Sequence, residues 1–268
     1  MPEGHTLHRL ALVHQDLFGG QELAVSSPQG RFAAESALVD GMRLESAEAH
    51  GKHLLHHYGP DRTVHVHLGL YGTFTEQPVP EPPPVGQVRM RLVGRTHVAD
   101  LRGPTACELL TDEQVTALHA RLGPDPLRDD ADAERAWAVI SGSRKTIAAQ
   151  LMDQKVIAGV GNVYRAEVLF RHGIPPLTPG NALDRQTWDV IWADLVELMH
   201  DGVRVGRIDT VRPEHDPAIT GRAPRQDRHG GEVYVYRRAG MPCLVCGTPV
   251  SMCEYQARNL YWCPSCQA

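Results

Sequence analysis

The sequence predicts a multidomain α+β protein, and three observations carry that reading: an amphipathic helix followed by short strand-like runs, a helical second half, and paired cysteines at the far end. At 268 residues the chain exceeds one typical domain of roughly 100–200 residues, so two or three units are expected.

Residues 4–18 place Leu7, Leu10, Ala11, His14, Leu17 and Phe18 at helical spacing, with Gly19 and Gly20 as the stop. Strand-like runs follow at 22–26, 52–58, 63–68, 71–76, 87–93 and 96–101, parted by Gly or Pro turns, which is the habit of an antiparallel β-sandwich or barrel. The Pro-rich stretch 78–84 is too short for a domain linker. Residues 1–122 are therefore expected as one β-rich domain, with the linker at 123–135, where Pro and Asp cluster. Helices are expected at 136–153, 163–172 and 188–200, inside a second domain at 136–240, before a Cys-rich end at 241–268.

No run of about 18 apolar residues exists, and the amino end lacks the basic, apolar, small-residue order of a signal peptide, so a cytoplasmic protein with no membrane partner is expected. Its cysteines should then be reduced or metal-bound. Cys243 and Cys246 form one Cys-x-x-Cys pair and Cys263 and Cys266 another, sixteen residues apart. That spacing fits a tetrahedral zinc ribbon, two hairpin turns each supplying two thiolates, better than a disulfide framework. Zinc here is structural: thiolates fill all four positions and none stays open for water. Cys107 and Cys253 lie outside the pattern and are expected to be inert packing residues.

Two further constellations carry chemistry. Removal of Met1 would turn Pro2 into a secondary amine with the Glu3 carboxylate beside it, and such an amine, with a pKa near ~8, can attack a carbonyl-like carbon. In the second half, Gly159-Val160-Gly161-Asn162 is a two-glycine turn leading into a helix, whose unpaired N–H groups would seat a phosphate, with Asn162 as an added donor. A plain Asn-capped helical hairpin fits the spacing equally well. Between residues 141 and 173, Arg144, Lys145, Lys155, Arg165 and Arg171 outnumber Asp153 and Glu167 by three. With a net charge of -5 overall, nucleic-acid binding would need such a local basic face.

Met1-Pro2-Glu3-Gly4, the helix-two-turn-helix around Gly159-Val160-Gly161-Asn162, and a terminal ribbon with Arg258 before Tyr261-Trp262-Cys263 together resemble the formamidopyrimidine-DNA glycosylase / endonuclease VIII family, in order and over nearly the whole chain. Pro-Glu-Gly and the Leu70-Tyr71 pair look more like the endonuclease VIII branch, type 1, than the purine-directed one. The resemblance implies a base-excision-repair enzyme that binds damaged double-stranded DNA as a monomer. It would flip out an oxidised pyrimidine, displace it with the Pro2 nitrogen, and cut the strand by β,δ-elimination through a Schiff base. Glu3 would serve as the acid, and no redox cofactor is implied.

By the same resemblance Lys52 contacts phosphate and assists elimination, Arg258 grips the phosphates flanking the flipped nucleotide, and Asn162 and Arg121 contact DNA. Gly69, Leu70 and Tyr71 occupy the loop that fills the gap left by the flipped base, although Gly69 stands where that branch usually has glutamine. Thr6 likewise replaces an acidic residue. Two alternatives stand beside this reading: the same chemistry on formamidopyrimidine or other oxidised purines, and a non-catalytic zinc-ribbon DNA-binding protein.

Histidines crowd residues 50–67, and His65 and His67 share a strand face, which suggests donors beside a DNA groove more readily than a second metal site. Residues 206–240 hold nine Arg or His among Pro, Gly and Asp, and read as a mobile loop that orders on DNA or as a plain disordered insertion.

Overall fold

The computed structural model describes residues 2–227 and 231–268; Met1, whose removal the sequence reading expects, and part of the Arg-rich stretch lie outside the described residues. The chain divides into two compact units, Met1–Arg121 and Leu122–Ala268.

Unit 1 begins with α1 (Gly4–Phe18), which buries Leu7, Ala11, His14 and Phe18 along one face. Then come β1 (Ala24–Ser26), α2 (Ala33–Ala37), β2 (Ser46–His50), β3 (His53–His57), β4 (Thr63–His67), β5 (Thr73–Pro78), β6 (Val88–Val93), β7 (His97–Arg102), β8 (Ala106–Leu110) and α3 (Asp112–Ala120). They build two antiparallel four-stranded sheets, ordered β1-β6-β7-β5 and β2-β3-β4-β8. Both sheets and α1 feed one apolar cluster that includes Leu7, Phe18, Leu54, Val66, Leu92 and Leu101. Burying these side chains is worth roughly 1.5–3 kcal/mol each, and this fixes α1 against β2 and β3.

Strands β2 and β8 and helices α2 and α3 of this unit escape the sequence reading. Strand β2 is Ser-Ala-Glu-Ala-His, poor in β-branched residues, and is held by its full register with β3. Helix α3 starts on a capping box between Thr111 and Gln114. Strand β5 begins at Thr73, so Leu70 and Tyr71 lie in the loop before it.

Unit 2 contains α4 (Ala133–Ser141), α5 (Ile147–Gln150), α6 (Asn162–Arg171), α7 (Arg185–Val205), α8 (Pro217–Thr220), β9 (Ser251–Tyr255) and β10 (Arg258–Trp262). The single helix expected at 136–153 is broken: α4 ends at Gly142, and the Thr146 side chain caps α5. The stretch expected as a linker is packed at its start, where Gly123 N donates to Gln154 O and Ala158 N to Pro124 O. Helices and Cys-rich end share one core, running from Ile140, Tyr164 and Trp188 to Leu260 and Cys263.

Residues 233–236 also enter this core, and a buried carboxylate explains why. Glu167 accepts from the main-chain N–H groups of Tyr234 at 2.6 Å, Val235 at 2.9 Å and Tyr236 at 2.8 Å, and from Thr210 Oγ1 at 2.6 Å. The expected mobile loop is thus anchored at both flanks of its central portion, because charge-assisted bonds in a dry site are strong.

Candidate functional site

In unit 1, Glu3 is the extended residue that precedes α1, and its carbonyl accepts from Thr6 N at 2.9 Å. It is fully buried, whereas Pro2 is half-buried. The packing of α1 therefore fixes both residues within a few ångströms of its first turn. Burial pushes the neighbouring His5 down to about 4, so this imidazole is neutral near pH 7.

Lys52 sits half-buried in the tight turn between β2 and β3, which Gly51 closes with φ +60°. Its charge reaches His67. Arg121, exposed at the end of α3, lies close enough for its charge to act on His53 and His65. The histidine stretch thus meets two of the predicted phosphate contacts.

The loop after β4 is closed by Gly72 N donating to Leu68 O at 2.9 Å. Leu70 is 48% exposed and Tyr71 85% exposed, a pair of apolar groups presented to solvent at a loop tip. Gly69 has φ +66°, and a Cβ added there would lie 1.9 Å from Thr105 Oγ1. The backbone conformation and Thr105 together account for glycine at the position of the usual glutamine.

In unit 2 the two-glycine turn is knitted by one side chain. Gln154 donates to the carbonyls of Met152 at 3.0 Å and Val160 at 2.9 Å and accepts from Gly159 N at 3.0 Å, with Gly159 at φ +87°. Asn162, the first residue of α6, is buried, and its amide donates to the Asn259 carbonyl at 3.0 Å. Arg165, which the sequence reading placed on a basic face, is fully buried and donates to Asn162 Oδ1 and to Asn259 O. Arg171 is likewise committed, gripping Asp194 with two bonds of 2.7 Å. Of the five cations counted there, Arg144, Lys145 and Lys155 are exposed. Helical periodicity alone does not separate a buried arginine from a surface one.

Arg258 is exposed at the tip of the β9–β10 hairpin, whose turn residues Gln256 and Ala257 both have positive φ. Below the tip, Cys243, Cys246, Cys263 and Cys266 bring their sulfurs within 4.8 Å of one another. The pairs Cys246–Cys263 and Cys243–Cys266 stand at 3.4 and 3.9 Å. Sulfurs at Zn–S bonds of about 2.3 Å in a tetrahedron stand about 3.8 Å apart, so the donor set fits a four-thiolate metal centre. Burial pushes Cys243 and Cys266 up, while hydrogen bonding by Thr248 pulls Cys246 down to about 6; a cation at the centre would favour the thiolate at all four. Among the described residues, this is the one group of three or more His, Cys, Asp or Glu side chains placed to hold a metal. Cys107 is buried, with its thiol pushed up to about 12, as befits a packing residue, and Cys253 packs against the unit 2 core.

Residues 1–107 match the formamidopyrimidine-DNA glycosylase N-terminal domain, and residues 122–213 match the formamidopyrimidine-DNA glycosylase H2TH domain. Endonuclease 8 1 of Mycobacterium tuberculosis is 55% identical over 271 residues, covering all of both chains. Probable endonuclease 8 2 of Streptomyces coelicolor is 33% identical over all of this chain and 94% of its own. In three dimensions the chain resembles Lactococcus lactis Fpg in complex with abasic-site DNA, with a TM-score of 0.80, 20% identity and 99% of each chain covered. MutM in complex with DNA containing carbocyclic 8-oxo-G also gives a TM-score of 0.80, at 21% identity and 99% coverage of each chain. These likenesses define the class, a DNA glycosylase. The chain belongs to the formamidopyrimidine-DNA glycosylase and endonuclease 8 family.

Proposed function

We propose that the protein removes oxidised pyrimidines from damaged double-stranded DNA and then cuts the abasic strand by β,δ-elimination through a Schiff base on Pro2. The observation that carries this reading is the pairing of Pro2 with a fully buried Glu3 at the start of α1. A chain-terminal secondary amine is the one nucleophile at that position able to form an imine, and the carboxylate beside it supplies the acid for base departure. The 55% identity to endonuclease 8 1 over the full length supports the endonuclease VIII branch, and the choice of pyrimidines follows from the resemblance to that branch.

The other residues act around that centre. Once Met1 is removed, Pro2 attacks C1′, the base leaves, and the imine acidifies the adjacent sugar proton. Lys52 and Arg121 contact phosphates from unit 1. Arg258 and Asn162 do the same from unit 2, and a bidentate guanidinium suits the task of Arg258. Leu70 and Tyr71 enter the stack in place of the flipped base, and Gly69 shapes their loop. Cys243, Cys246, Cys263 and Cys266 hold one zinc ion, which supplies folding energy to the hairpin and offers no open coordination position. The protein works as a cytoplasmic monomer on DNA, and none of the helices in the described residues is long and apolar enough to cross a membrane.

Formamidopyrimidine-DNA glycosylases among the relatives, such as that of Parasynechococcus marenigrum at 30% identity, support a second reading with the same chemistry on oxidised purines. Borohydride reduction during incubation with single-lesion duplexes tests both. A covalent adduct at Pro2 with an oxidised pyrimidine is expected. No adduct from protein with a verified Pro2 terminus would defeat both readings, and faster cleavage of formamidopyrimidine would reverse their order.

A further inference from the structure

The histidines of unit 1 are wired in series. Glu108 Oε1 stands 2.9 Å from His65 Nδ1, and His65 Nε2 stands 2.8 Å from His53 Nδ1. The His53 ring also lies 5.1 Å from that of His67, and the His50 and His119 rings stand 4.9 Å apart, tilted by 46°.

Hydrogen-bond polarity along this chain is dictated by its acid end. An ionised carboxylate only accepts, so His65 Nδ1 carries the hydrogen. Neutral His65 then accepts at Nε2, and His53 must donate from Nδ1. Neutral His53 is left with a bare lone pair on Nε2, for which no protein partner exists among the described residues. Burial holds the ring neutral by pushing its pKa down to about 3, with help from His65, His67, Arg121 and His50. Burial also lowers His65 and His67.

The surroundings are basic. Lys52 acts on His67, and Arg121 acts on His53 and His65. From β8 comes Glu108, 54% exposed at its side chain. At the far end of the same face, His57 bonds Glu48 at 3.2 Å and Thr63 at 3.0 Å. On the opposite face of β3, under α1, His14 bonds His56 at 2.9 Å and Glu76 at 3.1 Å.

We propose that His53 is a phosphate ligand alongside Lys52 and Arg121, and that it engages the phosphate by taking up one proton. The inference rests on the DNA reading above and extends it to a residue and a proton count. A phosphate oxygen only accepts, so it is repelled by the Nε2 lone pair. Reversing the tautomers would turn the His65 Nδ1 lone pair toward the Glu108 carboxylate. Imidazolium satisfies both ends, donating Nδ1–H to His65 and Nε2–H to phosphate. The anion raises the His53 pKa in the complex. The proton is bound in the complex and absent before it, so affinity falls as pH rises between the free value of about 3 and the value in the complex. One proton corresponds to about tenfold per pH unit in that window.

The test is calorimetric titration of the full chain with a duplex carrying a tetrahydrofuran abasic-site analogue, at fixed salt and about pH 6.5, in two buffers of different ionisation heat. Wild-type protein should take up about one proton per duplex. Uptake should vanish in His53→Gln, with affinity lower by about tenfold. Glu108→Gln should bind the duplex without uptake, because an amide can donate to His65 Nδ1 and so let neutral His53 donate from Nε2. This exposed position keeps the test available if His53→Gln fails to fold. Wild-type binding without uptake, or undiminished uptake in a folded variant, would overturn this inference alone. Wild-type protein that does not bind the duplex would overturn the DNA reading with it.

Discussion

The side-chain amide of Asn162 donates to the main-chain carbonyl of Asn259 at 3.0 Å, so the start of α6 is tied to the residue next to Arg258. Arg165 braces both, from a fully buried position. Asn162→Ala leaves the Arg165 guanidinium short of an acceptor in a dry site, at a cost of about 1–3 kcal/mol. Asn162→Asp keeps an acceptor for Arg165 and should lose less. Denaturant unfolding of the two variants checks the order, and equal stabilities would refute it.

Gly69→Gln restores the residue usual in the endonuclease VIII branch but meets both a left-handed backbone and Thr105 Oγ1. We expect a loss of about 2 kcal/mol. Thr105→Ala in the same chain should recover part of it, leaving the backbone term. A double-mutant cycle measures the coupling, and additive losses would argue against the contact.

Glu167→Gln replaces one of the two acceptor oxygens that serve Tyr234, Val235, Tyr236 and Thr210 with a donor. A loss of about 2–4 kcal/mol is expected. Limited proteolysis should then cut residues 206–240 faster than in the wild-type protein, and an unchanged cutting rate would show that the anchor lies elsewhere.

Metal removal should act through unit 2. A chelator that strips the proposed metal from the four-cysteine centre, or Cys263→Ser, should unfold the β9–β10 hairpin and weaken duplex binding, because in such a small ribbon hairpin folding would be linked to metal binding. Metal content measured beside binding decides the matter: full binding with the metal gone would contradict it.

A blocked amino terminus separates chemistry from fold. An extension ahead of Pro2 turns the amine into an amide and should abolish borohydride trapping, while thermal unfolding stays within about 0.5 kcal/mol of the processed protein, as for changes away from packed features. Pro2→Gly should retain DNA binding and slow imine formation. Trapping that persists in the blocked protein would place the nucleophile at another residue.

Local rules explain how far the sequence could be read. Four cysteines at fixed spacing imply a centre whatever surrounds them, and their sulfurs do converge. Helix α1 and the six strand runs follow from periodicity, with edges displaced by one or two residues. Strand β2 is not legible from its own residues, which favour no strand, because its partner supplies the register; α3 carries a legible Thr-x-x-Gln capping signal. Arg165, Glu167 and the Glu108–His65–His53 series were illegible for a different reason. Apart from Asn162, three residues from Arg165, their partners lie between 12 and 94 residues away, and a buried charge has no sequence signature until those partners are known.

Gly69 and Tyr71 sit two positions apart yet answer to different constraints. A ring that is 85% exposed contributes almost nothing to folding, so position 71 can change without loss of stability, whereas position 69 is locked by its backbone angle and by Thr105. Variation can therefore accumulate at 71 independently of the scaffold. Under the proposed reading, swapping the side chain there offers an orthogonal handle for retuning lesion choice, since any change in activity reports on the encounter with DNA and not on how well the protein folds.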